Sequence, residues 1–84
     1  MKKLRIKQAI QVGKKISQRI FDLPCVDCIM KDRESGNMYY MIHLDPDGHH
    51  TSATDGEWIC EDYFGNYHVL SDYEYHQNEA MPEE

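Results

Sequence analysis

Three turn signals divide the middle of this chain: "RESG" at 33–36, "DPDG" at 45–48 and "FGN" at 64–66. Gly and Asn accept the positive φ that tight turns demand, and Pro46 presets the second position of its turn. The runs between the turns are too short for long helices and are rich in β-branched and aromatic residues. Antiparallel strands are the expectation. "CVDCIMKD" should pair with "NMYYMIHLD" across the first turn, and strands near 57–63 and 67–70 should pair across the third. "HHTSATDG", residues 49–56, is polar and aperiodic and is expected to be a loop.

Residues 3–12, "KLRIKQAIQV", put Leu4, Ile6, Ile10 and Val12 on even positions, with Gln8 the one break. Period two predicts a half-buried strand with a basic outer edge. A helical stripe through Ile6, Ile10, Gly13, Ile16 and Ile20 competes, but Gly13 would cost it about 1 kcal/mol relative to Ala. The better reading is a strand ending at Gly13 and a short helix through "KKISQRIFDL", stopped by Pro24. After Ser71 a docked turn is expected, with residues 77–84 an acidic, frayed tail. The predicted class is α+β: a single domain over residues 1–76, mainly antiparallel strands, with one short helix near the N-terminus.

A domain of 84 residues has a thin core, which dimerisation, a metal or a ligand would supplement. A homo-oligomer is therefore one arrangement to test for. No apolar run approaches the roughly 18 residues of a membrane span. The opening "MKKLRIKQAI" alternates too much for a signal-peptide core, so a cytoplasmic location is expected. In a reducing compartment the three cysteines stay unbridged.

Charge is distributed unevenly. All nine Lys and Arg lie between Lys2 and Arg33, opposed there by Asp22, Asp27 and Asp32. From Glu34 to Glu84 there are twelve acids and no Lys or Arg, together with eight of the nine aromatics and all five histidines. Such a field attracts basic partners and repels nucleic acid.

The chemistry-bearing motifs are weak. Cys25-x-x-Cys28 has zinc-ligand spacing, and Cys60 with one of His43, His49, His50, His68 or His76, His68 being the convenient one, would complete a set of four. That completion depends on hairpin register. A "GN" loop pairs Cys60 with Ser71 and turns His68 away; an "FGN" loop pairs Cys60 with Leu70 and makes His68 a diagonal neighbour. The preferred reading takes the cysteines as small hydrophobes, with no metal and no cofactor. A redox Cys-x-x-Cys should open a helix, and here it precedes a strand. HNH-type nuclease chemistry lacks its second cysteine pair and any downstream cation for phosphate. The "DPDGHHTSATDGE" stretch misses the calcium-loop positions, with His50 and Gly56 where Gly and Glu are needed. Neither a nucleophile elbow nor a phosphate-binding glycine loop is present, so an enzyme is not expected.

What remains is a surplus of aromatics among acids. In adjacent pairs such as Tyr39-Tyr40 and Tyr63-Phe64, one ring of a regular strand must point outward. Tyr and Trp suit interfaces because they join apolar area to a polar tip. Glu57, Trp58, Glu61, Asp62, Tyr63, Tyr67 and Asp72 are the candidate partner-binding face.

The segment "ATDGEWICEDYFGNYHVLSDYEY" resembles a family of small accessory proteins of tailed phages and prophages. Their core reads Pro-Gly-Asp-Trp-Ile, then a Gly turn with a Tyr close behind, then an Asp followed by an aromatic. Gly56, Glu57, Trp58, Ile59, Gly65, Tyr67, Asp72 and Tyr75 hold comparable places. Asp55 stands where the family has proline, Glu57 replaces Asp, Tyr67 sits one residue early, and Glu79 falls on a later Tyr. The resemblance carries no catalytic residue. It implies a phage or mobile-element accessory protein acting in the host cytoplasm.

With the charge pattern, the resemblance leads to an expected function. The protein would be a non-enzymatic binder of a basic host protein, such as a nucleic-acid-processing or defence enzyme, acting by nucleic-acid mimicry without binding nucleic acid or membrane. The alternatives are a zinc-stabilised module and a nucleotide binder acting as an oligomer, with the basic first strand holding phosphate.

Overall fold

The structure, a computed structural model, describes residues 3–82. Six strands and two helices follow in the order β1 (Ile6–Gln11), α1 (Gln18–Phe21), β2 (Val26–Lys31), β3 (Met38–His43), β4 (His50–Thr54), β5 (Trp58–Asp62), β6 (Tyr67–Leu70) and α2 (Asp72–Ala80). They form two three-stranded antiparallel sheets, ordered β1-β5-β6 and β2-β3-β4. The α+β class, strand-dominated, is as the sequence predicts.

The core lies between the sheets. Ile59 from β5 meets Tyr40 and Ile42 from β3 and Ala53 from β4, while Val12, Ile20 and Cys25 close the sides. The Tyr67 amide donates to the Leu44 carbonyl at 3.1 Å, tying β6 to the end of β3. Buried Tyr40 accepts the Ser17 amide on its hydroxyl at 2.9 Å, so the polar tip of a core ring is satisfied.

The strand reading of residues 3–12 holds, and the break at Gln8 has a structural meaning. The register of β1 on β5 shifts between Ile6 and Gln8, a β-bulge. Opposed residues share a face, so Ile6 lies on the face of Asp62, whereas Ile10 lies on the face of Ile59. A single apolar side was expected; the bulge instead lets β1 serve two layers, one on each face of its sheet.

Three further expectations are corrected. Residues 49–56 are not a loop: His50–Thr54 is β4, paired residue for residue with β3. As an edge strand burying only Ala53, it shows no apolar alternation. The helix expected through residues 14–23 is one turn, α1. Ser17 is extended and caps it by accepting the Ile20 amide, which fixes the start four residues late.

The third correction concerns the tail. A helix through Ala80 replaces the turn and the fraying from residue 77; Glu83 and Glu84 lie outside the described residues. Ser71 and Glu74 form a reciprocal capping box, and Asp72 and Glu74 suit the positive end of the helix. The two bonds with Ser71 hold the Glu74 carboxyl below its ordinary value.

Asn78 anchors α2 to the start of the chain. Its Oδ1 accepts the Leu4 amide at 2.7 Å and its Nδ2 donates to the Leu4 carbonyl at 2.9 Å, with the side chain buried. Asn78→Ala should lower stability by about 1–3 kcal/mol, because two partly buried backbone groups lose their partners. Thermal unfolding checks this, and an unchanged melting temperature would mean that α2 is not docked there.

Candidate functional site

The seven candidate residues do not share one face. Alternation along β5 puts Trp58, Cys60 and Asp62 on the side covered by α2 and Ile59 and Glu61 on the core side. Tyr67, opposite Glu61, packs against the core, and burial is the main reason its phenol is raised above its usual range. Glu61 accepts from the Gln8 side chain at 2.7 Å on that same side. Tyr63 stands at the hairpin tip, whereas Glu57 and Asp72 lie at the other end of the sheet.

Trp58 and Asp72 do meet, in a structural role. The indole stacks on Tyr75, centroids 3.9 Å apart and planes 6° off parallel, and its N–H donates to Asp72 Oδ1 at 2.9 Å. Gln11 donates to the same oxygen at 3.2 Å, and His76 Nε2 is 3.2 Å from it. Asp72 thus fastens the first turn of α2 onto β1 and β5.

Asp62 is also structural. It is 7% exposed and accepts the amides of Phe64 at 2.8 Å and Asn66 at 3.0 Å, with His68 Nε2 at 2.9 Å. The His68 bond, aided by the turn amides, holds this carboxyl below the ordinary range despite burial. The loop that Asp62 closes is Tyr63-Phe64-Gly65, with Gly65 at φ 85° and Asp62 bonded to Asn66 through the backbone. Cys60 therefore pairs with His68, in neither of the two registers the sequence offered.

The zinc set is dispersed by this geometry. Cys25 is buried in the core between the sheets, Cys28 is exposed, and Cys60 is buried on the α2 side of the other sheet. His68 is engaged by Asp62. Burial pushes the Cys25 and Cys60 thiols up to about 11, which keeps them protonated and poor as ligands or nucleophiles at neutral pH. Among the described residues no three His, Cys, Asp or Glu converge on a metal position.

One polar cluster escaped the sequence reading. A second bulge, between Val26 and Cys28, interrupts the β2–β3 register at Asp27. Asp27 Oδ1 lies 2.8 Å from His43 Nδ1 and Oδ2 lies 3.4 Å from His50 Nε2. The two histidines are directly opposed on β3 and β4. Histidine makes every ion-pair contact among the described residues; no Lys or Arg makes one.

Two ends of the β1-β5-β6 sheet carry the exposed chemistry. At one, Gln11 Nε2 bonds both the Gly56 carbonyl and Asp72 Oδ1 at 3.2 Å, bringing the β4–β5 turn beside the start of α2. Asp55 and Glu57 flank Gly56 in that turn, where Glu57 accepts the Thr54 amide at 2.8 Å. Asp72, Tyr73 and Glu74 form the first turn of α2, with Tyr73 73% exposed. At the other, Tyr63 and Phe64 are 67% and 91% exposed. Beside them a groove of about 380 Å³ runs along Lys3 to Ala9. No family model, no curated protein and no solved structure matches this chain.

Proposed function

We propose that the protein is a non-enzymatic binding protein that engages a basic protein surface through its acidic end. The observation that carries the reading is the Gln11 bridge, which joins the acidic β4–β5 turn to the acidic first turn of α2, where Tyr73 is exposed. An exposed Tyr among acids suits a cationic partner. Lys14 and Lys15 follow β1 at this end, and neither lies within 4 Å of a carboxylate of the described residues. The resemblance of residues 53–75 to phage accessory proteins supports a bacterial host protein that processes or guards nucleic acid as the partner. The proposed contact residues are therefore Asp55, Glu57, Asp72, Tyr73 and Glu74, of which only Glu57 and Asp72 belong to the seven read from sequence.

Asp55→Lys combined with Tyr73→Ala tests this, because both side chains are exposed and neither holds a turn or cap. Partner capture from a bacterial lysate should fall about tenfold, with circular dichroism unchanged, since charge governs association and the ring governs dissociation. Equal capture by wild type and double variant would contradict the reading.

A further inference from the structure

The opposite end of the same sheet carries a second arrangement that the acidic end does not explain. The groove along Lys3–Ala9 is lined by Lys3, Arg5 and Lys7 and is walled by Tyr63, Asn78 and Glu79. β1 is an edge strand, bonded to β5 on one side only, so its cations stand along an open margin. None of the three lies within 4 Å of a carboxylate of the described residues. The acid in the groove, Glu79, has its Oε1 3.3 Å from His76 Nδ1.

In sequence, Tyr63 and Phe64 directly follow the acids Glu61 and Asp62. In space those acids are withdrawn: Asp62 is buried in the turn and Glu61 points to the other face. The hairpin register then places Ile6 opposite Asp62, which sets the basic start of β1 beside the exposed rings. Cations along a groove with an exposed ring at its wall are the elements that hold phosphate and stack a base. A groove of about 380 Å³ lies within the size range of small-ligand sites.

We propose that this groove binds a nucleotide, with phosphate held by Lys3, Arg5 and Lys7 and the base stacked on Tyr63. The elements lie within one copy of the chain, so the site requires no oligomer. Bulk charge works against it, since the chain carries a net −6, and binding is confined to the groove rather than spread over the surface. The nucleotide is recognised as a phosphate-bearing stacked base, whether free or as a unit of a single strand.

Calorimetric titration of the full chain with a purine mononucleoside triphosphate, a short oligothymidylate and inorganic pyrophosphate tests the assignment. Binding of the triphosphate assigns a free nucleotide; binding of the oligonucleotide alone assigns a single strand. Either should weaken about tenfold or more in Arg5→Ala/Lys7→Ala, and steeply with salt. Tyr63→Ala should weaken either ligand about tenfold, the effect of a lost base stack, without altering the fold. The proposal is overturned if none of the probes binds, if pyrophosphate binds as tightly as the nucleotide, or if Tyr63→Ala leaves nucleotide affinity unchanged.

Discussion

Trp58→Ala should destabilise the domain by about 3 kcal/mol, the lower end of the range for losing a buried large aromatic, because the ring is only half-buried. Three interactions go with it: the face-to-face stack on Tyr75, the indole bond to Asp72, and cover at the base of the hairpin. Asp72 keeps Gln11 and His76, so the first turn of α2 should loosen rather than detach. Chemical denaturation gives the free energy. A loss well under 1 kcal/mol would show that α2 is not held through this stack, and the two-layer account of the sheet would fail.

Asp62→Ala should cost about 2–3 kcal/mol, whereas Glu61→Lys, one residue earlier, should cost little. Asp62 accepts two turn amides and a histidine while almost fully buried, and its removal leaves those donors unpartnered. Glu61 gives up one bond to Gln8 on a partly open surface. A double charge reversal at 61 and 62, which from sequence alone reads as a surface change, should therefore unfold the hairpin through Asp62.

The same carboxyl sets a pH dependence. Asp62 titrates lower in the folded chain than in the unfolded one. Its stabilisation is complete above the ordinary aspartate value of about 3.9 and is lost as pH falls through the lower, folded value. Stability measured from pH 6 down to pH 2 should decline less steeply in Asp62→Asn than in wild type. Parallel curves would remove Asp62 as a determinant of acid unfolding.

These cases show what was legible in the sequence. Turn chemistry at 33–36, 45–48 and 64–66 and the alternation of residues 3–12 were sufficient for the strands that bury apolar side chains. β4 was hidden because an edge strand with one buried alanine has no period to read. α2 was hidden because it docks through Tyr75 and Asn78 rather than an apolar stripe, although "SDYE" carries the capping-box pattern.

The candidate face was misassembled for a different reason. Residues near in sequence on a strand point to opposite faces, so Trp58 and Glu61 are separated by the sheet itself. The register depended on the Asp62 side chain gripping the amides of Phe64 and Asn66, a choice between neighbouring turns that composition does not make. The two bulges, at Lys7 and Asp27, likewise moved side chains between faces after the period had been counted.

Whether the acidic end is the partner-binding surface is decided by placing a photoreactive phenylalanine analogue at Tyr73 of the full chain. The control position is Met30, which is 46% exposed on the other sheet. Illumination in bacterial lysate should yield adducts with a basic protein from position 73 and not from position 30. Those adducts should be lost at about 0.5 M salt, where exposed charges are screened within a few ångströms. Adducts from position 30 instead, or adducts from position 73 that persist unchanged at that salt, would show that the acidic end is not the partner-binding surface.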